Sequence, residues 1–124
     1  MLEAYSTNLD VATGTAVPFN SISIEKGSTA VLMAPSTIQL NKCGVYMVSV
    51  DASTAAVATI ELHKNGMTQP MAQSTGTTLS FMTLVQVPNS NSNCCCSSPT
   101  LLQLINTGAA ASFTNVNIVV TKVC

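Results

Sequence analysis

The chain has 124 residues, a length typical of one domain, and a core of that size folds without metal or disulfide support. Only 7% of the residues are charged, against 47% hydrophobic, and the formal net charge is -1. The four cationic side chains are scattered lysines, which argues against nucleic-acid binding, and no apolar run reaches the roughly 18 residues of a membrane span.

The first segment has no basic or apolar region of a signal peptide, so synthesis in the cytosol is expected. We expect residues 1–16 to form an N-terminal arm and residues 17–124 to form the folded domain. The arm and its junction, residues 1–18, are the predicted attachment segment, in which Tyr5, Leu9 and Val11 are the candidate anchors.

From there on the pattern is one of short strands separated by turn signals, with frequent Val, Ile, Thr, Phe and Tyr and recurrent alternation at period two. No segment has sustained helical spacing. Asn65-Gly66 is a strong hairpin signal because both residues tolerate positive φ. The predicted strands are 17–24, 29–34, 37–40, 44–52, 56–64, 71–74, 77–87, 100–107 and 111–123. The pattern therefore predicts an all-β sandwich or jelly roll of antiparallel strands.

Three of these strands are apolar on both faces, and one face of each must fill the core. Met82 and Leu84, for example, lie opposite Leu79 and Val85. An exposed second face would form a large apolar patch, which a closed oligomer covers economically. The candidate interface residues are Val45, Met47, Phe81, Phe113 and Val119.

The cysteine triplet at 94–96 leaves three interpretations open: a metal site, a disulfide, or buried or free thiols. In an extended backbone only Cys94 and Cys96 of the triplet could face one ion, which makes them weak metal candidates. The total of five cysteines is odd, so at least one cannot pair within the chain.

Catalysis is not expected. The only histidine, His63, has Asp51 and Glu61 as its nearest carboxylates in sequence, and neither arrangement has the spacing of a catalytic set. The methionines are expected to fill the core or an interface, and no cofactor is expected.

The segments Gly44-Val45-Tyr46-Met47-Val48-Ser49 and Ile60-Glu61-Leu62-His63-Lys64-Asn65-Gly66, in this order before a final strand at 111–123, resemble the C1q/TNF-like jelly roll. The resemblance is to its bacterial and phage members, namely BclA-type spore-surface domains and phage head-fibre or capsid decoration proteins. It implies a homotrimeric sandwich of nine to ten strands. It also implies that the cysteines gather at one pole, where Cys43 with Cys124 is the first candidate pair, and Cys94, Cys95 and Cys96 are further disulfide candidates.

The expected function is that of a structural protein on the virion surface, a capsid decoration or head-fibre protein of a tailed phage. Its partners would be its own copies and a capsid or particle protein, without nucleic acid or membrane. The alternative is an adhesive head that binds a receptor or glycan on a spore or cell surface. The lack of Trp and the presence of only two Tyr weaken glycan binding, which usually uses aromatic platforms.

Overall fold

The computed structural model describes residues 1–27, 29–87 and 95–123, and these residues form strands and turns without a helix. The strands are β1 (Leu2–Val11), β2 (Ser21–Glu25), β3 (Ala30–Ala34), β4 (Thr37–Lys42), β5 (Gly44–Lys64), β6 (Met67–Val87), β7 (Cys95–Asn106) and β8 (Ala111–Lys122). In this part of the chain there is accordingly no helix long and apolar enough to cross a membrane.

The long hairpin of β5 and β6 connects two layers of antiparallel strands. Each strand has 21 residues, and their pairing shifts register between Ser53 and Ala58. Each long strand therefore replaces two of the strands predicted from sequence. Counted as separate segments, the halves give ten strands in all, in agreement with the expected jelly-roll sandwich.

The first layer has the order β2-β1-β8-β5-β6, with residues 44–54 of β5 and 78–87 of β6. The second has the order β3-β4-β7-β5-β6, with residues 58–64 of β5 and 67–76 of β6. The inward side chains of both layers form one continuous core, in which Tyr46, Phe113 and Leu2 are among the largest fully buried residues.

The N-terminal segment differs from the expected arm. Residues 2–11 form β1, which pairs with β8 along its length and with β2 on its other side. Leu2 and Ala4 are buried in the core, and Ser6 donates a hydrogen bond to the Pro18 carbonyl at 2.6 Å. The segment is thus an interior strand of the first layer, and the boundary drawn at residue 16 separates two parts of one core.

The hairpin turn at Asn65-Gly66 agrees with its sequence signal. Asn65 has a φ of 52° and Gly66 a φ of 81°, as a two-residue turn between twisted strands requires. Asn65 also binds β7: its Oδ1 accepts a hydrogen bond from the Leu101 amide at 2.8 Å. The turn therefore fixes both the register of the hairpin and the position of the adjacent strand.

Candidate assembly surface

An apolar surface lies on the outer side of the first layer. Its five side chains belong to three adjacent strands: Val45 and Met47 of β5, Met82 and Leu84 of β6, and Val119 of β8. We call this set the outer apolar face. Met82 and Leu84 are each 65% exposed, whereas the other three are half-buried.

The pairing register brings these residues together. Met47 lies opposite Leu84 in β6 and Thr121 in β8. Ser49 lies opposite Met82 on one side and Val119 on the other. Because side chains alternate along each strand, the neighbouring Tyr46, Val48 and Val50 point into the core. The outer apolar face therefore arises because these strands carry apolar side chains on both of their sides.

The edge of the layer adds to this surface. Among the described residues, 78–87 of β6 pair only with β5, so no strand lies on the other side. Two backbone groups of this segment bond side chains instead: the Ser80 amide donates to the Ser74 hydroxyl, and the Gln86 carbonyl accepts from Lys64 Nζ. An edge strand with unpaired backbone groups and exposed apolar side chains is a site of association unless another chain covers it.

Polar groups surround the outer apolar face. Glu3 accepts hydrogen bonds from the Ser23 hydroxyl at 2.7 Å and from the Asn117 amide at 3.4 Å. Asp51 is exposed and lies between Ser80 and Asn117 in the sheet. An apolar centre with a polar rim is the usual anatomy of a protein–protein interface.

Two candidate interface residues do not belong to this surface. Phe113 is only 1% exposed, because Thr114 is an extra residue at the register shift opposite Ser53 and Thr54, so that Phe113 and Val116 both face the core. Phe81 lies opposite the buried Val50 and packs against the core. Val45, Met47 and Val119 do lie on the outer apolar face. Alternation in the sequence places Met82 and Leu84 on the side of the strand that faces away from the core. The candidate interface residues nevertheless do not include them.

The three candidate anchors occupy different environments. Tyr5 is exposed on the outer side of β1, opposite Asn117. Leu9 packs against the core, and Val11 is 3% exposed. Asn8 has a φ of 53°, and the inward positions of β1 change there from even to odd residues. Leu9 and Val11 are therefore core residues, and Tyr5 remains as a surface candidate.

The cysteine predictions fall mostly outside the described part of the chain. Cys94 and Cys124 lie beyond the described residues, as do the side chains of Cys95 and Cys96. Cys43 is buried at 8% exposure, and the backbone of Cys95 pairs with Lys42, the residue next to Cys43. The backbones of Cys43 and Cys95 thus lie at one pole. The proposed pairings and the weak metal candidates stay predictions.

His63 and Glu61 lie side by side on the outer side of the second layer, with 3.2 Å between His63 Nε2 and Glu61 Oε1. His63 pairs with Gln103 and Thr68 across the sheet, and the contact that its Nε2 makes is with Glu61. Among the described residues, no group of three or more His, Cys, Asp and Glu side chains could hold a metal ion.

A cleft of about 490 Å³ opens at the pole where β1 ends, β5 bends and β8 begins. Its lining is mainly alanine, with Asp10 and Ser112 as its polar side chains. The Ser112 hydroxyl donates to the Asp10 carboxylate at 2.5 Å, so these two groups satisfy each other. Among its lining residues no third polar side chain accompanies this Ser112–Asp10 pair.

The backbone arrangement is similar to solved structures across the whole chain. The globular domain of zebrafish complement 1qA protein has a TM-score of 0.76 at 9% identity, covering 99% of this chain and 96% of that one. PRD1 vertex protein P5 has a TM-score of 0.67 at 14% identity, with 99% and 96% covered. Murine APRIL has a TM-score of 0.66 at 8% identity, with 98% of both chains covered.

No protein-family model and no curated protein matches the sequence. The similarity therefore establishes the fold, an all-β jelly roll of the C1q/TNF type, and confirms the fold expected from the strand pattern.

Proposed function

We propose that the chain is a homotrimeric structural protein of a phage particle, a capsid decoration or head-fibre protein that acts by covering and binding surfaces. The observation that carries the proposal is the outer apolar face beside the unpaired edge of β6. None of its five apolar side chains is buried by the described part of the chain: Met82 and Leu84 are exposed, and the other three are half-buried.

A cyclic trimer covers this surface by repeating a single contact between neighbouring subunits. The edge of β6 from one subunit packs on the outer apolar face of the next, and the same contact repeats around a three-fold axis until the ring closes. Val45, Met47 and Val119 would form the receiving surface, and Met82 and Leu84 the inserted edge. The resemblance to C1q/TNF-like jelly rolls supports three copies rather than two.

The low charge supports the same conclusion. Interface centres are depleted in charged residues, and the outer apolar face has its nearest carboxylates, Glu3 and Asp51, at its rim. Similarity to the PRD1 vertex protein supports the particle as the place where the trimer acts.

The trimer is tested by a double substitution on the edge strand, Met82→Lys with Leu84→Lys. Two buried ammonium groups at an apolar interface would oppose association, so we expect a loss of at least about 100-fold in trimer affinity. Light scattering on a sizing column would show the wild-type chain as a trimer at micromolar concentration and the variant as a monomer.

The matched control is Met33→Lys with Val57→Lys. It places the same two charges at exposed apolar positions of β3 and of the β5 bend, outside the outer apolar face. It should stay trimeric, and circular dichroism should show both variants folded. A monomeric wild-type chain, or equal behaviour of the two variants, would contradict the proposed trimer.

The location of the chain on a phage particle is tested by imaging. Antibody-gold labelling of particles purified from the producing cells should place the chain on the outer surface of the capsid. Labelling confined to spores or to the cell envelope would instead favour the adhesive head domain. That second function is supported by the similarity to the complement 1qA globular domain and to APRIL.

A further inference from the structure

All four lysines of the chain lie at one pole of the sandwich. Lys122 pairs with Tyr46 near the end of β8, and the Val123 amide donates to the Val45 carbonyl at 2.8 Å. The start of β5 and the end of β8 therefore meet here. Lys42 precedes this start, and its carbonyl accepts a hydrogen bond from the Tyr46 hydroxyl at 2.7 Å.

The other two lysines reach the same pole from different elements. Lys26 follows β2, and its amide donates to the Met1 carbonyl at 2.9 Å, beside the first residue of β1. Lys64 ends the second-layer half of β5, and its Nζ donates to the carbonyl of Gln86, which pairs with Val45. We call Lys26, Lys42, Lys64 and Lys122 the lysine pole.

The carboxylates are distributed differently. Asp10 lies at the opposite pole, eight residues along β1 from Leu2, or on the order of 25 Å at about 3.3 Å per residue. Glu61 and Asp51 lie within strands between the poles. Glu25 is the carboxylate nearest the lysines, opposite Leu2, and Glu3 is engaged by Ser23 and Asn117. A chain of net charge -1 thus has a cationic end.

We propose that the lysine pole is the surface by which the chain docks on an acidic protein surface of its particle. This inference rests on the proposed function, because it assigns the particle-facing end of the decoration protein. Lys26 and Lys42 are exposed, so their ammonium groups can meet carboxylates of a partner, and Lys122 adds positive charge at the same pole. A trimer would present the set three times at one end of its axis, which multiplies weak contacts into stable binding.

The composition of the pole favours an acidic protein over a nucleic acid. The chain has no arginine, the side chain that grips phosphate with two parallel hydrogen bonds. The nearest aromatic ring, that of Tyr46, is fully buried and offers no stacking surface for bases. Glu25 at the rim would repel a continuous row of phosphates, whereas it can pair with a cationic side chain of a protein partner.

The test compares the wild-type chain with Lys26→Gln, Lys42→Gln and Lys122→Gln combined. Lys64 is retained because it holds the Gln86 carbonyl. The control combines Thr13→Glu, Thr107→Glu and Ala109→Glu at exposed positions around the opposite pole, which lowers the net charge by the same three units. Binding is measured by interferometry on immobilised poly-L-glutamate, on oligo-dT and on phosphatidylserine vesicles, from 50 to 300 mM salt.

We expect the wild-type chain and the control to bind poly-L-glutamate, with affinity falling as salt screens the charges. The lysine variant should bind about 3- to 100-fold more weakly at low salt, since each of the three lost exposed ion pairs contributes roughly 1.4- to 5-fold. Equal binding by the lysine variant would overturn the proposal. Tighter binding to oligo-dT or to the vesicles would overturn it in favour of a nucleic acid or a membrane.

The outcome is separable from that of the proposed function. Oligomeric state and gold labelling are measured on the wild-type chain without reference to the lysines. If the chain is a trimer on the capsid but the lysine variant binds poly-L-glutamate normally, only the assignment of the docking end fails. If lysine-dependent binding is observed but the chain is absent from capsids, the decoration role fails, and the lysine pole remains a binding surface for an acidic protein other than the capsid.

Discussion

At the scale of single residues, Asn106 is a buried polar side chain with three hydrogen bonds to the backbone. Its side chain is fully buried at the end of β7, where Nδ2 donates to the carbonyls of Val11 at 3.1 Å and Ala109 at 3.0 Å. Its Oδ1 accepts from the Gly108 amide at 3.1 Å. One amide group therefore joins the end of β1 to the turn between β7 and β8.

Replacing this residue by leucine, Asn106→Leu, keeps the approximate volume but removes the side-chain partner of one buried and two partly buried backbone groups. We expect the free energy of unfolding to fall by about 2–4 kcal/mol, measured by urea titration at fixed protein concentration. The exposed Asn20→Leu should change stability by less than about 0.5 kcal/mol. Similar losses in the two variants would show that the hydrogen bonds of Asn106 are not what stabilises this corner.

Sequence patterns predict residue environments well where side-chain alternation is unbroken and poorly where it is not. The buried Tyr46, Val48 and Val50 and the exposed Met82 and Leu84 follow directly from period two. Phe113 does not, because a register shift in β8 changes which residues face inward. Such a shift depends on the pairing of strands distant in sequence, which alternation within one strand does not contain.

At the scale of elements, the sequence indicated nearly every strand but missed β1. The reason is Ser6: it occupies the inward position after Leu2 and Ala4, and a polar residue there hides the alternation. In the fold its hydroxyl donates to the Pro18 carbonyl and accepts from the Asn20 amide at 2.8 Å, so the polar group is satisfied inside. Both partners of the Ser6 hydroxyl belong to the segment between β1 and β2, and strand propensity does not reveal contacts with such a segment.

Deletion of residues 1–11 distinguishes an interior strand from a separate arm. Because β1 lies between β2 and β8, its removal would expose the edge of β8 and uncover core side chains such as Val116 and Ile118. We expect the truncated chain to lose its cooperative thermal transition by circular dichroism and to aggregate. A truncated chain that unfolds cooperatively near the wild-type temperature would show that β1 is dispensable, as an arm would be.

At the scale of the whole molecule, the few charged side chains are distributed unevenly, and two features of the surface follow from this. The side of the first layer is apolar because it is the proposed subunit contact, and the cations that remain are collected at one pole. The strands that are apolar on both faces predicted the first feature from the sequence. The second could not be predicted, because the lysines lie on or beside different strands. The bend in β5 returns Lys64 to the end where β5 begins, which a sequence pattern does not contain.

If the outer apolar face is covered only by other copies, folding and assembly are coupled. The midpoint of thermal unfolding should then rise with protein concentration, by about 2–4 °C for each tenfold increase between 1 and 100 μM, because mass action favours the trimer. The Met82→Lys, Leu84→Lys variant should have a lower midpoint that does not depend on concentration, since its folded state gains nothing from association. Differential scanning fluorimetry measures both. A wild-type midpoint that stays constant over this range would mean that the single subunit is stable with its apolar face open to water, and the face would then need another occupant.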